Sequence, residues 1–247
     1  RSPLIAAWDQ IKAPLPMLRE QNGYAAYLPI SGTHDEYLGT LSSNFARNVR
    51  RLNNKINTIG EPEFLFFTSD EIRDEHLEWF MKLEVSGWKG ERGTAISQSP
   101  QLIAFYRSLI SRMRARGWAE WHFLTVDGEP FAGHLAARIG RELVLLKIAY
   151  DDAHSSYGPG TILMSGLFER TFAAGDIDEI NCLTDMAWNH NWQMKIRPYY
   201  DLHIFRRNPL SMLGGYWPSK FRERAGSVGI VRQAARRIRG LVLSKAK

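Results

Sequence analysis

The sequence holds one cysteine, Cys182, in 247 residues. That excludes a disulfide scaffold and a cysteine-ligated zinc site. No run of about 18 apolar residues occurs, so nothing reads as a membrane-spanning helix. The Walker pattern and the G-x-G-x-x-G dinucleotide fingerprint are both missing. There is no internal repeat, no low-complexity tract, and no basic stretch followed by an apolar one to mark a secretion signal. What is present is 44% hydrophobic and 12% aromatic residues. That is too apolar for disorder and enough for a sizeable core.

Acidic residues are scarce in one region. From Trp217 to Lys247 there are nine basic residues and one acid, Glu223, although the whole chain carries only +6. The remainder is therefore close to neutral, which argues against a general nucleic-acid binder. In the tail Val228, Val231, Ala234, Ala235, Ile238, Leu241 and Val242 recur at helical spacing among Arg232, Arg236, Arg237 and Arg239. Residues 216–247 are expected to carry a basic amphipathic helix. Its 228–245 stretch would lie on an anionic membrane surface or dock on a missing lobe or partner subunit. The chain opens on Arg1 rather than Met. Residues 1–37 are proline-rich around one short apolar strand, Tyr24 to Leu28, and are expected to be an element of a preceding domain.

After Gly39 the pattern predicts a helix capped at Ser42 or Ser43, with Phe45, Val49, Leu52 and Ile56 on one side. Arg47, Arg50, Arg51 and Lys55 lie on its other faces, without an acid between Phe45 and Thr58. Glu63 to Thr68 reads as a strand. Ser69 to Val85 reads as a helix with Ile72, Leu77, Phe80, Met81 and Glu84 roughly on one side. Gly87 to Gly93 is a loop, and Ser99-Pro100 starts another helix that ends at Gly117. Three strands follow, Trp121–Val126, Pro130–Ile139 and Glu142–Tyr150, the first two joined by Asp127-Gly128. A loop leads to a helix from Thr161 to Ala174. Strands are expected at Ile177 to Leu183 and Leu202 to Phe205. The order is mixed α/β around one sheet.

The strand–loop–helix at 143–174 carries the first chemical signal. Tyr157-Gly158-Pro159-Gly160-Thr161 opens a helix, and small residues there let backbone N–H groups face an anion such as a pyrophosphate. An ordinary strand–turn–helix corner reads the same way.

The motifs in order resemble those of the GNAT acyltransferases, and more closely the branch of CelD/BcsL-type acetyltransferases related to the FemAB aminoacyltransferases. They are the basic helix Asn44–Lys55, the loop Gly87-Trp88-Lys89, the strand end Lys147-Ile148-Ala149-Tyr150-Asp151 and the loop Tyr157-Gly158-Pro159-Gly160-Thr161-Ile162-Leu163. A fifth is Asp185-Met186-Ala187-Trp188-Asn189-His190-Asn191-Trp192, in which Asn189 replaces the lysine usual in the family. The resemblance covers roughly residues 38–206. It implies a GNAT fold: a twisted mixed sheet, an antiparallel meander followed by a parallel crossover strand, with helices on its faces. A GNAT-like domain over 38–215 would follow the end of a first lobe.

The resemblance also implies a function: N-acyl transfer from acetyl-CoA or a longer acyl-CoA, without a metal. The acceptor would be an amine, on a small molecule, a lipid or an envelope-polysaccharide precursor. Backbone N–H groups of Ile148, Ala149 and Tyr150 would serve the thioester oxygen, and Tyr157, Gly158, Gly160 and Thr161 the CoA phosphates. His134, Lys147, Asp185 and His190 are the candidates for base or charge. Trp88, Lys89, Trp188, Asn189 and Trp192 are the candidates for acceptor contact. Packing or capping roles for His134, Lys147, Asp185 and the tryptophans stand open beside these. Cys182 reads as a core residue. FemAB-like transfer from charged tRNA and a non-catalytic binding module are the alternatives. The expected place is cytoplasmic, peripheral on the inner membrane face.

Overall fold

The computed structural model describes residues 15–87, 90 and 93–220. These form seven strands: β1 (Met17–Pro29), β2 (Pro62–Thr68), β3 (Ala119–Val126), β4 (Glu129–Ile139), β5 (Glu142–Tyr150), β6 (Glu179–Asn181) and β7 (Lys195–Ile204). Their order in the sheet is β2-β3-β4-β5-β6-β1-β7. The expected helix over 228–245 lies outside the described residues.

The chain divides into two units. One is Tyr24–Arg197; the other combines the stretches before Tyr24 and after Arg197. In the second, Asn22 Nδ2 donates to Asp201 Oδ2 at 2.7 Å and the Phe205 N–H to the Pro16 carbonyl at 2.9 Å. The Arg19 guanidinium lies over the Tyr200 ring.

Within Tyr24–Arg197, β2 to β5 form an antiparallel meander, and β6 pairs with β5 in parallel after a helical crossover. A parallel neighbour needs such a crossover. Asp127 and Gly128, with φ of 50° and 81°, make the tight turn that Asp-Gly permits. The helices are α1 (His34–Thr40), α2 (Ser43–Ile56), α3 (Asp74–Ser86), α4 (Pro100–Arg114), α5 (Pro159–Ala174) and α6 (Ala187–Asn191). Ser42 Oγ caps α2 by accepting the Phe45 N–H, and Ser99 Oγ caps α4 by accepting the Leu102 N–H. The structure starts α3 at Asp74, five residues later than its apolar spacing suggests, because Thr68 to Glu71 form a turn held by Glu71 Oε2. Helix α1 is an element that the proline-rich reading of 1–37 did not contain. Its capping box is Thr33 and Glu36.

Both faces of the sheet are covered. Leu143 and Leu145 of β5 pack with Met164, Leu167 and Phe168 of α5. Val144, Leu146 and Ala149 pack on the opposite core with Phe80 and Leu83 of α3 and Ile110 of α4. Leu146 and Ala149 lie on one face because β5 is bulged. Leu135 faces Lys147 and Ala136 faces Leu145, so Leu146 is the extra residue.

Candidate active site

Strand β6 is much shorter than its apolar run suggested. It meets β5 at three positions, Glu142–Val144 against Glu179–Asn181, and then leaves it. β6 is paired with β1 on its other side, and beyond Asn181 the chain keeps to β1 alone: the Cys182 N–H donates to the Ala26 carbonyl and the Ala26 N–H to the Thr184 carbonyl. The second half of β5 is thus left with strand β4 on one side and a gap on the other. The Asp151 N–H donates to the Phe131 carbonyl at 2.8 Å. Because antiparallel hydrogen bonding alternates along a strand, the peptide groups of Lys147 and Ala149 turn to β4, and those of Ile148 and Tyr150 turn to the gap. Ile148 and Tyr150 are also 38% and 45% exposed, unusual for large side chains at the end of a central strand. The Tyr150 carbonyl accepts a bond from Ser86 Oγ at 3.4 Å.

Past β5 the chain makes a short 3₁₀ turn, Asp152–Tyr157, and then enters α5 through Gly158. Gly158 has φ of +65°, and an added Cβ would lie 2.6 Å from Leu52 Cδ1 of α2. Only glycine lets α2 come that close at a left-handed residue. An added Cβ on Gly160 would sit 3.4 Å from Tyr150 Cδ1. The turn is tied to α2 from the other side as well. Lys55 Nζ donates to the Ser156 carbonyl at 2.9 Å and lies 4.4 Å from the centre of the Tyr157 ring. An ammonium group and the N-terminus of a 16-residue helix therefore meet at the end of the gap. That set of groups suits a phosphate. Thr161 and Ile162 turn their N–H groups to the Gly158 carbonyl, tightening this first turn.

The side chains singled out from sequence are not all brought together. Asp185 and His190 are: Oδ1 and Nε2 lie 3.3 Å apart beyond the end of β6, both partly exposed. Asp185 does not cap α6, whose N-cap is Met186. Lys147 lies on the α3 face of β5, where it pairs with the wholly buried Glu84 and lies under the Tyr106 ring. His134, whose neighbour on β5 is Ile148, points to the other face. It is 2% exposed, its Nδ1 has no hydrogen-bond partner, and its ring centre is 6.0 Å from that of His122. Burial, with His122 adding to it, holds its pKa well below the usual histidine range. His134 is therefore a neutral imidazole at physiological pH.

Asn189 is buried and donates to the Thr184 carbonyl at 2.9 Å, which fixes the turn that carries Asp185. Trp192 is 2% exposed and packs edge-on against Phe45 and Phe168, and its carbonyl accepts from Tyr37 Oη. Trp188 packs on the same core. Trp88 and Lys89 lie outside the described residues. Cys182 sits 3.8 Å from Met194 Sδ, and burial pushes its thiol up to about 12, so no thiolate forms there at neutral pH.

Two features were not singled out. Glu84 is one; its signal was a carboxylate on the apolar stripe of a helix. Leu183 is the other, a bulky residue at φ of +60° directly beyond β6, held by Asn181 Oδ1 accepting its N–H at 2.9 Å. Such a residue marks local strain beside a site, and no sequence pattern announces it.

The fold has counterparts among known proteins. The acetyltransferase (GNAT) domain family matches residues 43–192. The chain belongs to this family. Similar GNAT-type folds are found in FemX, with a TM-score of 0.58 and 12% identity over 78% of this chain and 64% of that one. L-PGS from Bacillus licheniformis gives 0.52 and 14% over 86% and 68%. The C-terminal domain of a putative lysylphosphatidylglycerol synthetase from Agrobacterium fabrum gives 0.51 and 11% over 83% and 66%. At these identities the likeness is one of fold. The chain spans less than two thirds of the FemX and Agrobacterium chains. Comparison with curated proteins returned no significant match. Among the described residues no cluster of three or more His, Cys, Asp or Glu is placed to hold a metal, and no helix is long and apolar enough to cross a membrane.

Proposed function

We propose that the chain is an acyl-CoA-dependent N-acyltransferase of the FemAB-related, CelD/BcsL-like branch, acting on an amine. The observation that carries this reading is the separation of β5 from β6 after three paired positions, with the peptide groups of Ile148 and Tyr150 turned into the gap. An extended thioester donor with amide groups can pair with such an open strand edge. Its pyrophosphate would meet Lys55 and the first turn of α5, at Gly158, Gly160 and Thr161.

The chemistry follows from these positions. The amine nitrogen attacks the thioester carbonyl carbon, and an Ile148 or Tyr150 N–H accommodates the charge that develops on the carbonyl oxygen. The Asp185–His190 pair takes the proton that the amine gives up. The C–S bond breaks, and the departing CoA thiolate takes up a proton from the now protonated Asp185–His190 pair. His134, neutral but enclosed, is the second candidate for the base. The acceptor would lie on the α3 face near Lys147, with Trp88 and Lys89 as its expected contacts from sequence. A lipid or envelope-precursor amine fits the expected basic tail at 228–245, which would hold the enzyme at the inner face of the membrane.

A second reading has one specific observation behind it. Arg47, Arg50 and Arg51 are exposed on α2, and Arg47 and Arg51 are tied to Asn44 and Asn48 rather than to acids. This acid-free helix beside the 151–158 turn would also suit a charged tRNA. Titration with acetyl-CoA and with aminoacyl-tRNA separates the two. Binding of acyl-CoA, with transfer to an amine detected by mass spectrometry, supports the first. Affinity for tRNA alone, falling steeply with salt, replaces it with the second.

A further inference from the structure

The side chain of Glu84 has no exposed surface, yet it carries a carboxylate. Its two oxygens are engaged by two separate parts of the chain. Oε1 pairs with Lys147 Nζ, and Oε2 accepts the Ile96 N–H at 2.7 Å. Lys147 is the residue directly after the extra residue Leu146 of the β5 bulge and directly before Ile148, whose peptide faces the gap. Ile96 opens the 3₁₀ turn Ile96–Gln98, just after the Gly87–Gly93 loop. A buried carboxylate is tolerated when it is paired and hydrogen-bonded. It is also a poor choice for stability alone, since an apolar side chain would fill the same space. A bulge, moreover, is a local kink whose place along the strand must be fixed by its surroundings.

We propose that Glu84 is a positioning residue: it fixes the β5 bulge through Lys147 and holds the Ile96–Gln98 turn against it through the Ile96 N–H, so that one carboxylate sets the strand that borders the gap and the turn packed behind it. The functional half of this inference rests on the acyltransferase reading above. The holding of the two segments does not. Glu84 touches no reacting atom in this scheme. Its effect is to keep the Ile148 N–H aimed into the gap.

The test compares the full chain with Glu84→Gln, Lys147→Met and the double variant. Hydrogen exchange is read by mass spectrometry, and acyl transfer from acetyl-CoA is measured alongside. In Glu84→Gln, exchange should rise by roughly tenfold or more in both 94–98 and 145–150. In Lys147→Met it should rise in 145–150 alone. The double variant, with both charges removed, should regain much of the wild-type melting temperature. Both segments should nonetheless stay fast, with kcat lowered and KM for acetyl-CoA within about twofold of wild type. If exchange and kcat return together with the melting temperature, the pair is structural only and the proposal is overturned. Unchanged exchange in both segments of Glu84→Gln overturns it too. Should Glu84→Gln fail to fold, the double variant decides by the same readings. Absence of any acyl transfer by the wild-type chain would refute the acyltransferase reading, and the exchange data would still decide the role of Glu84.

Discussion

Asp185 Oδ1 lies 3.3 Å from His190 Nε2 in the turn that follows β6, and this pair stands where the parallel strands have already parted. A carboxylate against one ring nitrogen orients the imidazole, the arrangement expected of a group that collects a proton during transfer. Asp185→Asn and His190→Ala should each lower kcat by about 100-fold or more. Because both groups are partly exposed, the melting temperature should move little. Full turnover in both variants would remove the pair from the mechanism.

The entry to α5 depends on a glycine. Gly158→Ala places a methyl group at φ of +65°, 2.6 Å from Leu52 Cδ1. Left-handed backbone alone costs an L-residue about 1–2 kcal/mol, so with the clash the loss should reach about 2 kcal/mol or more. Gly160→Ala has no such φ and meets Tyr150 at an ordinary 3.4 Å. Denaturant unfolding of the two variants should therefore differ clearly, and equal stabilities would contradict the observed contact between α2 and the loop.

Lys55 tests the phosphate end of the site. Its ammonium already bridges to the Ser156 carbonyl beside the first turn of α5. Hydrogen bonds to charged groups contribute about 1.5–3 kcal/mol, so Lys55→Ala should weaken CoA binding by roughly tenfold or more, and less so at high salt. Calorimetric titration at two salt concentrations measures this. An unaltered Kd would move the pyrophosphate elsewhere.

The buried His134 sets a pH dependence. Its folded-state pKa is depressed, so below the unfolded value near 6.5 the unfolded chain binds a proton that the folded chain refuses. The stability tied to this residue is complete above that value. It declines as the pH falls below it, with a slope of up to about 1.4 kcal/mol per pH unit. His76 shifts in the same direction, also through burial. His134→Phe should flatten the decline between pH 6.5 and 5 in urea unfolding. An unchanged slope would mean that other groups set it.

Much of the sheet was legible in advance, for local reasons. Asp127-Gly128 fixes one hairpin, Ser99-Pro100 starts α4, and the apolar run 143–146 marks a central strand. The α5 entrance was readable because Gly158, Pro159 and Gly160 have few other uses together. What escaped is long-range. Nothing in Ile177 to Leu183 says that only three residues pair with β5, since the chain parts from β5 while Ala26 keeps it on β1 through Cys182 and Thr184. The short strand seen at Tyr24 to Leu28 is part of a longer one, Met17–Pro29. The last strand begins at Lys195, well before Leu202, because its polar half carries no apolar alternation. In the site, Trp192 looked like a contact residue and is a core one. Glu84 and Lys147 lie on different elements, and their pairing exists only in the folded chain.

The central claim is that the gap between β5 and β6, with the α5 entrance, receives an acyl-CoA. Calorimetric titration of the full chain with a non-hydrolysable acetyl-CoA analogue, beside Gly158→Ala and Lys55→Ala, tests it most directly. Saturable 1:1 binding that weakens in both variants is the predicted result. No binding, or binding that both variants leave untouched, would contradict it.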